Sequence, residues 1–451
     1  MSITGKIVRK ISLHSNVEAE QQFSGVFTDS RQEMKNGLFI PLVGERFDGH
    51  KFLLDAIKNG ATAAIWEEGK QIPREIPDQF QLFFVQDTLV ALQQLAKVYL
   101  EQIQPTVIGV TGSNGKTTTK DIIAAVLSTT YATHKTNGNF NNEIGLPLTV
   151  LAMPASCEVL ILELGMSELR EIALLSEIAE PHFAVVTNIG ESHIEQLGSR
   201  EAIAKAKMEI VEGLRNNGKV VIDGDEPLLV PYMTDETITC GFSEKNDVTI
   251  VEYEGDDNGF TFRLQDSTFQ YSLPLLGKHN VHNAAYAVII AKLLNVKEES
   301  INEGLHQIAL TSMRLEKKQG KSNSVIINDA YNASPTSMRA AIDVVKELPY
   351  GKKIVVLGDI YELGPDEEVL HRSVASAVEQ PITHVFTVGS KGKWIYDELQ
   401  KNSDNTMVVK SFENKEDVIN EILPLLDEKT IVLVKASRGM KLETVVEQLI
   451  S

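Results

Sequence analysis

The chain of 451 residues is longer than one ordinary hydrophobic core supports, and its globular composition predicts two to three domains. A formal net charge of -19 excludes general binding to nucleic-acid backbones, so anionic substrates would need locally basic pockets. Cys157 and Cys240 are too few for a disulfide framework or a multi-cysteine metal site, and we expect two buried thiols.

The N-terminal part of the sequence predicts a small domain without membrane insertion. Its start, MSITGKIVRKISLHS, lacks the apolar stretch of a signal peptide, and no later run is long enough to span a bilayer, so we expect a cytoplasmic protein. Between Gly25 and Trp66, apolar stretches such as GLFIPLVG and ATAAIW surround the polar segments FTDSR and GERFDGHKF. This pattern is typical of a mixed α/β domain, which we assign to residues 1–102.

A second domain is predicted at residues 103–313. Pro105 ends a helical pattern, and the strand-like run TVIGV follows it. The runs VLILELG, FAVVTNIG and GKVVID are typical of buried parallel strands, whereas the alternation over 248–273 indicates antiparallel ones. We therefore expect a mostly parallel central sheet.

The C-terminal part, residues 314–451, predicts a Rossmann-like domain. From Ser324 onward, the runs SVIINDA, KKIVVLG, THVFTVG, TMVVKS and TIVLVKAS alternate with helical segments. No GxGxxG opens this domain, which argues against an NAD-dependent enzyme. The expected fold class is thus α/β with three domains: a small mixed N-terminal one, a central P-loop ATPase-like one and a Rossmann-like one.

A phosphate-binding loop is predicted between the TVIGV strand and the helix that follows it. The segment TGSNGKTT, residues 111–118, offers backbone N–H groups to phosphate oxygens at a positive helix end. Lys116 would reach the β- and γ-phosphates and Thr117 would bind magnesium. The spacing departs from GxxxxGK[ST], because Val110 stands five before Gly115. A plain turn is the alternative, and the strand and helix context disfavours it.

Glu163 ends the predicted strand VLILELG, and His193 follows the next strand in TNIGESH, so both are expected at the carboxyl edge of one sheet. A carboxylate in the phosphate crevice is placed for a magnesium ion. The alternatives are a solvated strand end for Glu163 and a merely exposed or hydrogen-bonded loop histidine for His193.

Lys207 lies on an apolar helical stripe. Ile203, Lys207, Ile210 and Leu214 share one face, whereas Lys205 faces Glu209 at i+4. A lysine in this position must snorkel, lose its charge or be chemically changed, and desolvation would expose a nucleophilic amine. Snorkelling remains the alternative.

Several segments together resemble the Mur ligase family and follow its order along the whole chain. They are TGSNGKTTTKD, NFNNEIGLPLT, ELGMSELREIALLSEIAEPHFAVVTNIGESH, AKAKMEI, GKHNVHNAAYA, MRLE, DAYNASPTSM and KASRGMKLE. The resemblance implies a monomer whose three domains bind a UDP-sugar, bind ATP, and close over ATP with the incoming amino compound. Within the family, DAYNASPTSMRAA with LGDIYELG resembles the member that adds D-alanyl-D-alanine to a UDP-N-acetylmuramoyl-tripeptide.

The resemblance also implies roles for individual residues. Lys207 matches a carbamylated lysine, and Lys116, His193 and Lys207 are the implied catalytic residues. Two Mg²⁺ ions are implied, one bound by Thr117 and Glu163 and a second by Glu163, His193 and the Lys207 carbamate. The implied ATP contacts are Gly112, Ser113, Asn114, Gly115, Lys116, Thr117 and Thr118 at the phosphates, with Asn283, Arg314 and Asp329 at adenine, phosphate and ribose. The implied UDP-substrate contacts are Ser30, Arg31, Gly44, Asn139, Asn141 and Asn142, and the dipeptide contacts are Asn332, Ser437 and Arg438.

The implied reaction is ATP-dependent amide formation through an acyl phosphate. The open alternatives are a sibling ligase that adds a single amino acid, a folylpolyglutamate synthase, and a switch protein that only hydrolyses ATP. The TDSR and DAYNASP segments argue against the first two. The carboxylate, histidine and buried lysine around the loop favour chemistry over switching. The sequence leaves open whether the third peptide residue is lysine or diaminopimelate.

Overall fold

The computed structural model describes residues 3–16, 20–401 and 407–450. Within these residues, the strands form three large sheets, one after another along the chain, and two small two-stranded pairings. None of the helices described combines the length and apolar character that crossing a lipid bilayer requires. The expected α/β fold class is confirmed.

The N-terminal sheet has five strands in the order β2-β9-β8-β5-β4. Its elements are β1 (Ile3–Thr4), α1 (Gly5–Arg9), β2 (His14–Ser15), β3 (Gln22–Phe23), β4 (Val26–Phe27), β5 (Gly37–Phe39), β6 (Val43–Gly44), β7 (Phe47–Asp48), α2 (Leu53–Lys58), β8 (Ala61–Glu67), β9 (Gln81–Val85) and α3 (Thr88–Ile103). The segment ATAAIWE forms the middle strand because its small and apolar side chains are buried on both faces.

The central sheet has nine strands in the order β11-β12-β10-β13-β14-β15-β16-β17-β18. Its elements are β10 (Thr106–Thr111), α4 (Lys116–Leu127), β11 (Thr133–Lys135), α5 (Gly145–Leu151), β12 (Val159–Glu163), α6 (Glu171–Ala179), β13 (Phe183–Val186), α7 (Ile194–Leu197), α8 (Arg200–Met208), β14 (Lys219–Asp223), β15 (Thr237–Gly241), β16 (Val248–Asp256), β17 (Gly259–Leu264), β18 (Gln270–Leu273), α9 (Lys278–Leu293) and α10 (Glu298–His306). The strands from β11 to β16 run parallel, and β16, β17 and β18 are antiparallel, as expected.

The position of β10 determines where a site forms in the central sheet. This strand lies between β12 and β13, with Val110 opposite Glu163 and Thr111 opposite Val186. All three strands are parallel, so the segments that follow them meet at one edge of the sheet. The phosphate loop, Glu163 and the loop before α7 therefore come together.

The C-terminal sheet has six strands in the order β19-β20-β24-β21-β22-β23, parallel except for the edge strand β19. Its elements are β19 (Glu316–Gln319), β20 (Val325–Asn328), α11 (Pro335–Glu347), β21 (Lys352–Gly358), α12 (Glu367–Ser373), β22 (His384–Val388), α13 (Gly392–Lys401), β23 (Val408–Phe412), α14 (Lys415–Ile422), β24 (Thr430–Lys435) and α15 (Glu443–Leu449). The five expected parallel strands are present, although Thr406 of the TMVVKS run lies outside the described residues.

Some short elements were not predicted from the sequence. These are β11, β15 and β19, whose burial is mixed and whose sequences carry weak strand patterns. The helix that carries Lys207 ends at Met208, so Leu214 lies beyond it. Glu209, which we expected to face Lys205, follows this helix, and both of its carboxylate oxygens accept the backbone N–H of Arg170 at 2.9 Å.

Apolar clusters hold the three regions together. One cluster is continuous from Ile3 in the N-terminal region to Leu229 in the central region. The two faces of the C-terminal sheet are covered by separate clusters. Ile194 in α7 packs against both the first cluster and one face of the C-terminal sheet. Cys157 and Cys240 are free and buried, as expected.

Candidate nucleotide and cation site

The phosphate loop joins β10 to α4 in a conformation that only glycine adopts easily. Gly112 has φ 143° and Gly115 has φ 80°, both in the region that favours glycine. A Cβ at Gly112 would collide with Thr187, and one at Gly115 would lie 2.9 Å from Oδ1 of Asn283. The glycines thus let the loop pass close to its neighbours before α4 begins at Lys116.

The segment after β13 fixes the phosphate loop from the side. The side-chain oxygen of Asn188 accepts the backbone N–H of Asn114 at 3.0 Å, and its amide donates to the Asn114 carbonyl at 2.9 Å. The Thr187 hydroxyl donates to the same carbonyl at 2.5 Å. Thr187 and Asn188 were not predicted from the sequence. Their position directly after a strand adjacent to β10 was the available signal.

Two cations converge on the loop. Nζ of Lys116 donates to the Gly112 carbonyl at 2.7 Å, and Nη2 of Arg314 donates to the Thr117 hydroxyl at 3.2 Å. Burial lowers the pKa of Lys116, Glu163 opposes this effect, and Arg314 adds to it. The Arg314 guanidinium lies 4.3 Å from the ring centre of Tyr331, which holds it over the loop. The site is thus prepared for the negative charge of phosphates.

Glu163 ends β12 with one oriented oxygen and one free oxygen. Its side chain is buried, and Oε1 accepts the amide of Asn141 at 2.9 Å. Oε2 is buried and has no hydrogen-bond partner. A buried carboxylate oxygen without a partner is costly, so this atom is available to a cation or to a ligand donor.

Lys207 is fully buried in α8, between Ile203 and Ile210 on the same stripe. Its Nζ has no hydrogen-bond partner, so the side chain does not snorkel to solvent. Burial lowers the pKa of Lys207 well below its ordinary value, and the nearby charge of Lys116 adds to the effect, against Glu163. The surroundings therefore favour the neutral, nucleophilic form of the amine.

His193 contacts the C-terminal region. Its Nδ1 lies 2.9 Å from Oε2 of Glu362, in the LGDIYELG segment. Nearby, Glu191 accepts the Thr336 hydroxyl at 2.8 Å and the Arg339 guanidinium at 3.3 Å. Glu191 and Glu362 were not predicted from the sequence, because their partners lie more than a hundred residues away.

A cavity of about 750 Å³ lies between the central and C-terminal regions. This volume is in the range of small-molecule and cofactor sites. The predicted site residues that line it are Ser113, Asn114, Gly115, Lys116, Thr117, Thr118, Asn141, Glu163, His193, Asn283, Arg314, Asp329 and Asn332. Asp329 accepts Nζ of Lys435 at 2.6 Å, a partner the sequence analysis missed. Lys207 is buried behind this lining.

The other predicted site residues do not line the cavity. They are Ser30, Arg31, Gly44, Gly112, Asn139, Asn142, Lys207, Ser437 and Arg438. Arg31 pairs with Asp29 at 2.7 Å, and this hydrogen bond lowers the pKa of Asp29 to about 2. Ser437 accepts the Tyr361 N–H at 2.9 Å, and Arg438 pairs with Glu443 at 2.9 Å.

Three family models match the chain along most of its length. They are the Mur ligase family catalytic domain at residues 22–100, the Mur ligase middle domain at residues 110–291 and the Mur ligase glutamate ligase domain at residues 313–438. The matched ranges follow the order of the three large sheets.

Similar proteins and structures cover the whole chain. The UDP-N-acetylmuramoyl-tripeptide--D-alanyl-D-alanine ligase of Bacillus subtilis (strain 168) is 46% identical over 97% of this chain and 95% of its own length. A crystal structure of MurF from Acinetobacter baumannii has a TM-score of 0.88 at 31% identity, covering 100% of this chain and 99% of that one. MurF ligase from Thermotoga maritima in complex with ADP has a TM-score of 0.82 at 29% identity, covering 94% and 96%. The chain therefore belongs to the Mur ligase family.

Proposed function

We propose that the protein joins D-alanyl-D-alanine to UDP-N-acetylmuramoyl-tripeptide, with conversion of ATP to ADP and phosphate, to give a pentapeptide precursor of peptidoglycan. The observation that carries this proposal is a single cavity in which the phosphate loop meets the C-terminal region. The dipeptide specificity is supported by 46% identity, over nearly the full length of both chains, to a ligase of that name.

The proposed nucleotide position follows the lining of the cavity. The phosphates lie on residues 112–118, and Lys116 and Arg314 face them. Asn283 lies beside Gly115, and we assign it to adenine. Asp329 lies beside Lys435, and we assign it to ribose. Since a relative of the same fold was crystallised with ADP, a nucleotide fits this architecture.

Two Mg²⁺ ions are proposed, one held by Thr117 and Glu163 and the other by Glu163, His193 and a carbamylated Lys207. The free Oε2 of Glu163 and the partnerless Nζ of Lys207 fit this use. Among the described residues, no cluster of three His, Cys, Asp or Glu side chains could hold a metal by itself. Addition of CO₂ to the Lys207 amine, with loss of a proton, would supply the missing carboxylate. Bound Mg²⁺ would offset the negative charge between the two anionic reactants.

A carboxylate has no good leaving group, because its oxygen would have to depart as oxide. Amide formation in water therefore requires that the carboxylate be activated first. The tripeptide carboxylate attacks the γ-phosphate of ATP and releases ADP, and the dipeptide amine then displaces phosphate from the acyl phosphate. Lys116 stabilises charge on the transferred phosphoryl group, and the C-terminal region excludes water when it covers the cavity.

The remaining assignments complete the proposal. Residues 1–102 bind the UDP-sugar, residues 103–313 bind ATP, and residues 314–451 close over ATP and bind the dipeptide. The UDP-substrate contacts are Ser30, Arg31, Gly44, Asn139, Asn141 and Asn142, and the dipeptide contacts are Asn332, Ser437 and Arg438. We further propose a cytoplasmic monomer.

The first test measures phosphate release from ATP in the presence of Mg²⁺ and UDP-muramoyl-tripeptide. Tripeptides with lysine and with diaminopimelate as the third residue are compared. Reactions receive D-alanyl-D-alanine, single amino acids or no amine. Release with a new amide only in the presence of the dipeptide is the expected result. Preference for one amino acid would indicate a sibling ligase, and equal release without any amine would indicate a switch protein.

A further inference from the structure

The loop that carries His193 is docked on the C-terminal region at three points. Nδ1 of His193 lies 2.9 Å from Oε2 of Glu362. The backbone N–H of Glu195 donates to the Glu362 carbonyl at 3.3 Å. Ile194 packs against an apolar cluster of the C-terminal sheet. The segment around Glu362 therefore reaches the central site from the other side of the cavity.

Both members of this contact have an unfavourable backbone conformation. His193 has φ 65° and Glu362 has φ 62°, in the left-handed region that residues with a Cβ rarely adopt. A strained backbone conformation persists where the surrounding contacts hold it in place, and such conformations are common at functional sites. The Glu362 side chain is 53% exposed, so its contact with His193 adds little stability.

The contact determines which nitrogen of His193 is available. His193 lines the cavity together with Lys116 and Glu163, whereas Glu362 is not part of that lining. Nδ1 is buried and lies 2.9 Å from the carboxylate without an aligned hydrogen bond, so Nε2 is the nitrogen left for the cavity. A carboxylate behind an imidazole fixes the tautomer and the ring orientation of a histidine that binds a cation.

We propose that Glu362 is a positioning residue for the cation site, which fixes the His193 imidazole with Nε2 toward the phosphates only when the C-terminal region is docked. This inference rests on the proposed function, because the role of His193 toward a cation belongs to it. Its consequence is an ordering of events. The cation site is complete only after the region that binds the incoming amine is in place, so ATP is not consumed in an open enzyme.

The test uses the full chain with Glu362→Gln and Glu362→Asn. The first variant keeps the shape of the side chain and removes its charge. The second removes the carboxylate from His193 but suits the left-handed conformation, since asparagine adopts it more readily. We expect the Mg²⁺ concentration for half-maximal activity to rise about 10- to 100-fold in both. The thermal unfolding midpoint of Glu362→Asn should equal or exceed that of the wild type.

Asp366→Asn is the matched control, because Asp366 is exposed on the same loop and its change removes the same charge. Its Mg²⁺ dependence should equal that of the wild type. A second readout avoids turnover: Mn²⁺ binding to the ADP-bound protein, followed by electron paramagnetic resonance, should weaken about tenfold or more in both Glu362 variants.

Mn²⁺ affinity within twofold of the wild type in both variants would overturn the role of Glu362, whether or not activity falls. A lower unfolding midpoint with unchanged Mn²⁺ affinity would make the contact purely structural and would also overturn it. Failure of the wild type to form the dipeptide amide would instead refute the proposed function. The Mn²⁺ titration still decides the role of Glu362 in that case.

Discussion

Buried charged side chains have different surroundings in the central site and in the C-terminal sheet. In the central site, Oε2 of Glu163 and Nζ of Lys207 are buried without a hydrogen-bond partner. In the C-terminal sheet, the buried carboxylate of Asp359 accepts the N–H groups of Lys391 and Gly392 at 2.9 and 2.7 Å. Nζ of the buried Lys353 likewise donates to the Lys346 carbonyl at 2.6 Å.

This difference separates groups that serve folding from groups that serve a ligand. A buried polar atom without a partner costs about 1 to 3 kcal/mol, and a buried charged group without a partner costs more, so Glu163 and Lys207 are placed to serve a ligand. Changes in the central site should therefore lower activity without lowering stability. Changes at Asp359 should do the reverse.

The largest expected effect is the loss of activity in the Lys207→Met variant. We expect kcat/KM to fall at least about 100-fold, which corresponds to about 2.7 kcal/mol, because the amine and any group built on it are lost. The unfolding midpoint should stay equal or rise, because methionine fills the space without a buried amine. Steady-state kinetics and thermal unfolding of the same preparation measure the two quantities.

Lys205→Met is the control for this variant, since Lys205 is exposed two residues earlier on the same helix. Its activity should match that of the wild type. Wild-type activity in Lys207→Met would refute the distinction drawn between the two regions, as would a large fall in its unfolding midpoint.

The second largest expected effect is a loss of stability in the Asp359→Ala variant. Two buried N–H groups at the start of α13 lose their acceptor, and the free energy of unfolding should fall by about 2 to 4 kcal/mol. Urea unfolding measures this change, and Asp366→Ala is the exposed control on the same loop. We expect kcat of the folded fraction to change less than threefold. An unchanged unfolding midpoint would mean that Asp359 is not a structural acceptor.

The sequence predicted the parts of the site that depend on one strand and the segment after it. The phosphate loop follows β10 and Glu163 ends β12. Strand patterns were sufficient to predict both, because the carboxyl ends of parallel strands meet at one edge of a sheet. The buried position of Lys207 followed from its spacing to Ile203 and Ile210, and the structure confirms that position.

The parts that were missed depend on which segments become neighbours. Asn188 contacts the phosphate loop because β13 lies beside β10. Local sequence patterns do not predict this strand order. Glu191 and Glu362 meet partners on another region of the chain, so no spacing reveals them. Short strands such as β11 were missed because three residues carry too little periodicity.

A smaller effect is expected in Glu191→Gln, where the two regions meet. The carboxylate accepts the Thr336 hydroxyl and pairs with Arg339, so its neutralisation should weaken docking of the C-terminal region by about 1 kcal/mol. We expect the KM for ATP to rise about fivefold with little change in kcat. The effects of Glu191→Gln and Arg339→Met should not add in the double variant, because one contact is lost in both. Additive effects would show that the two residues act separately.

The smallest effect concerns the pH dependence of stability and belongs to the satisfied region. His371 is buried, with Nε2 accepting the Ile360 N–H at 2.9 Å and Nδ1 donating to the Glu367 carbonyl at 2.6 Å. This arrangement requires the neutral ring, and burial lowers the pKa of His371 below its ordinary 6.5. Because the unfolded chain binds the proton more readily, stability is fully present above pH 6.5 and is lost as the pH falls below that value toward the folded pKa.

Urea unfolding between pH 8 and pH 5 tests this linkage. His371→Gln should reduce the loss of stability between pH 6.5 and pH 5, although its stability at pH 8 is lower because a buried hydrogen bond changes. His306→Gln, at an exposed histidine, should leave the pH profile unchanged. An identical pH slope in wild type and His371→Gln would mean that another group dominates the acid sensitivity. His371 would then not be the point at which the satisfied network of the C-terminal region fails first.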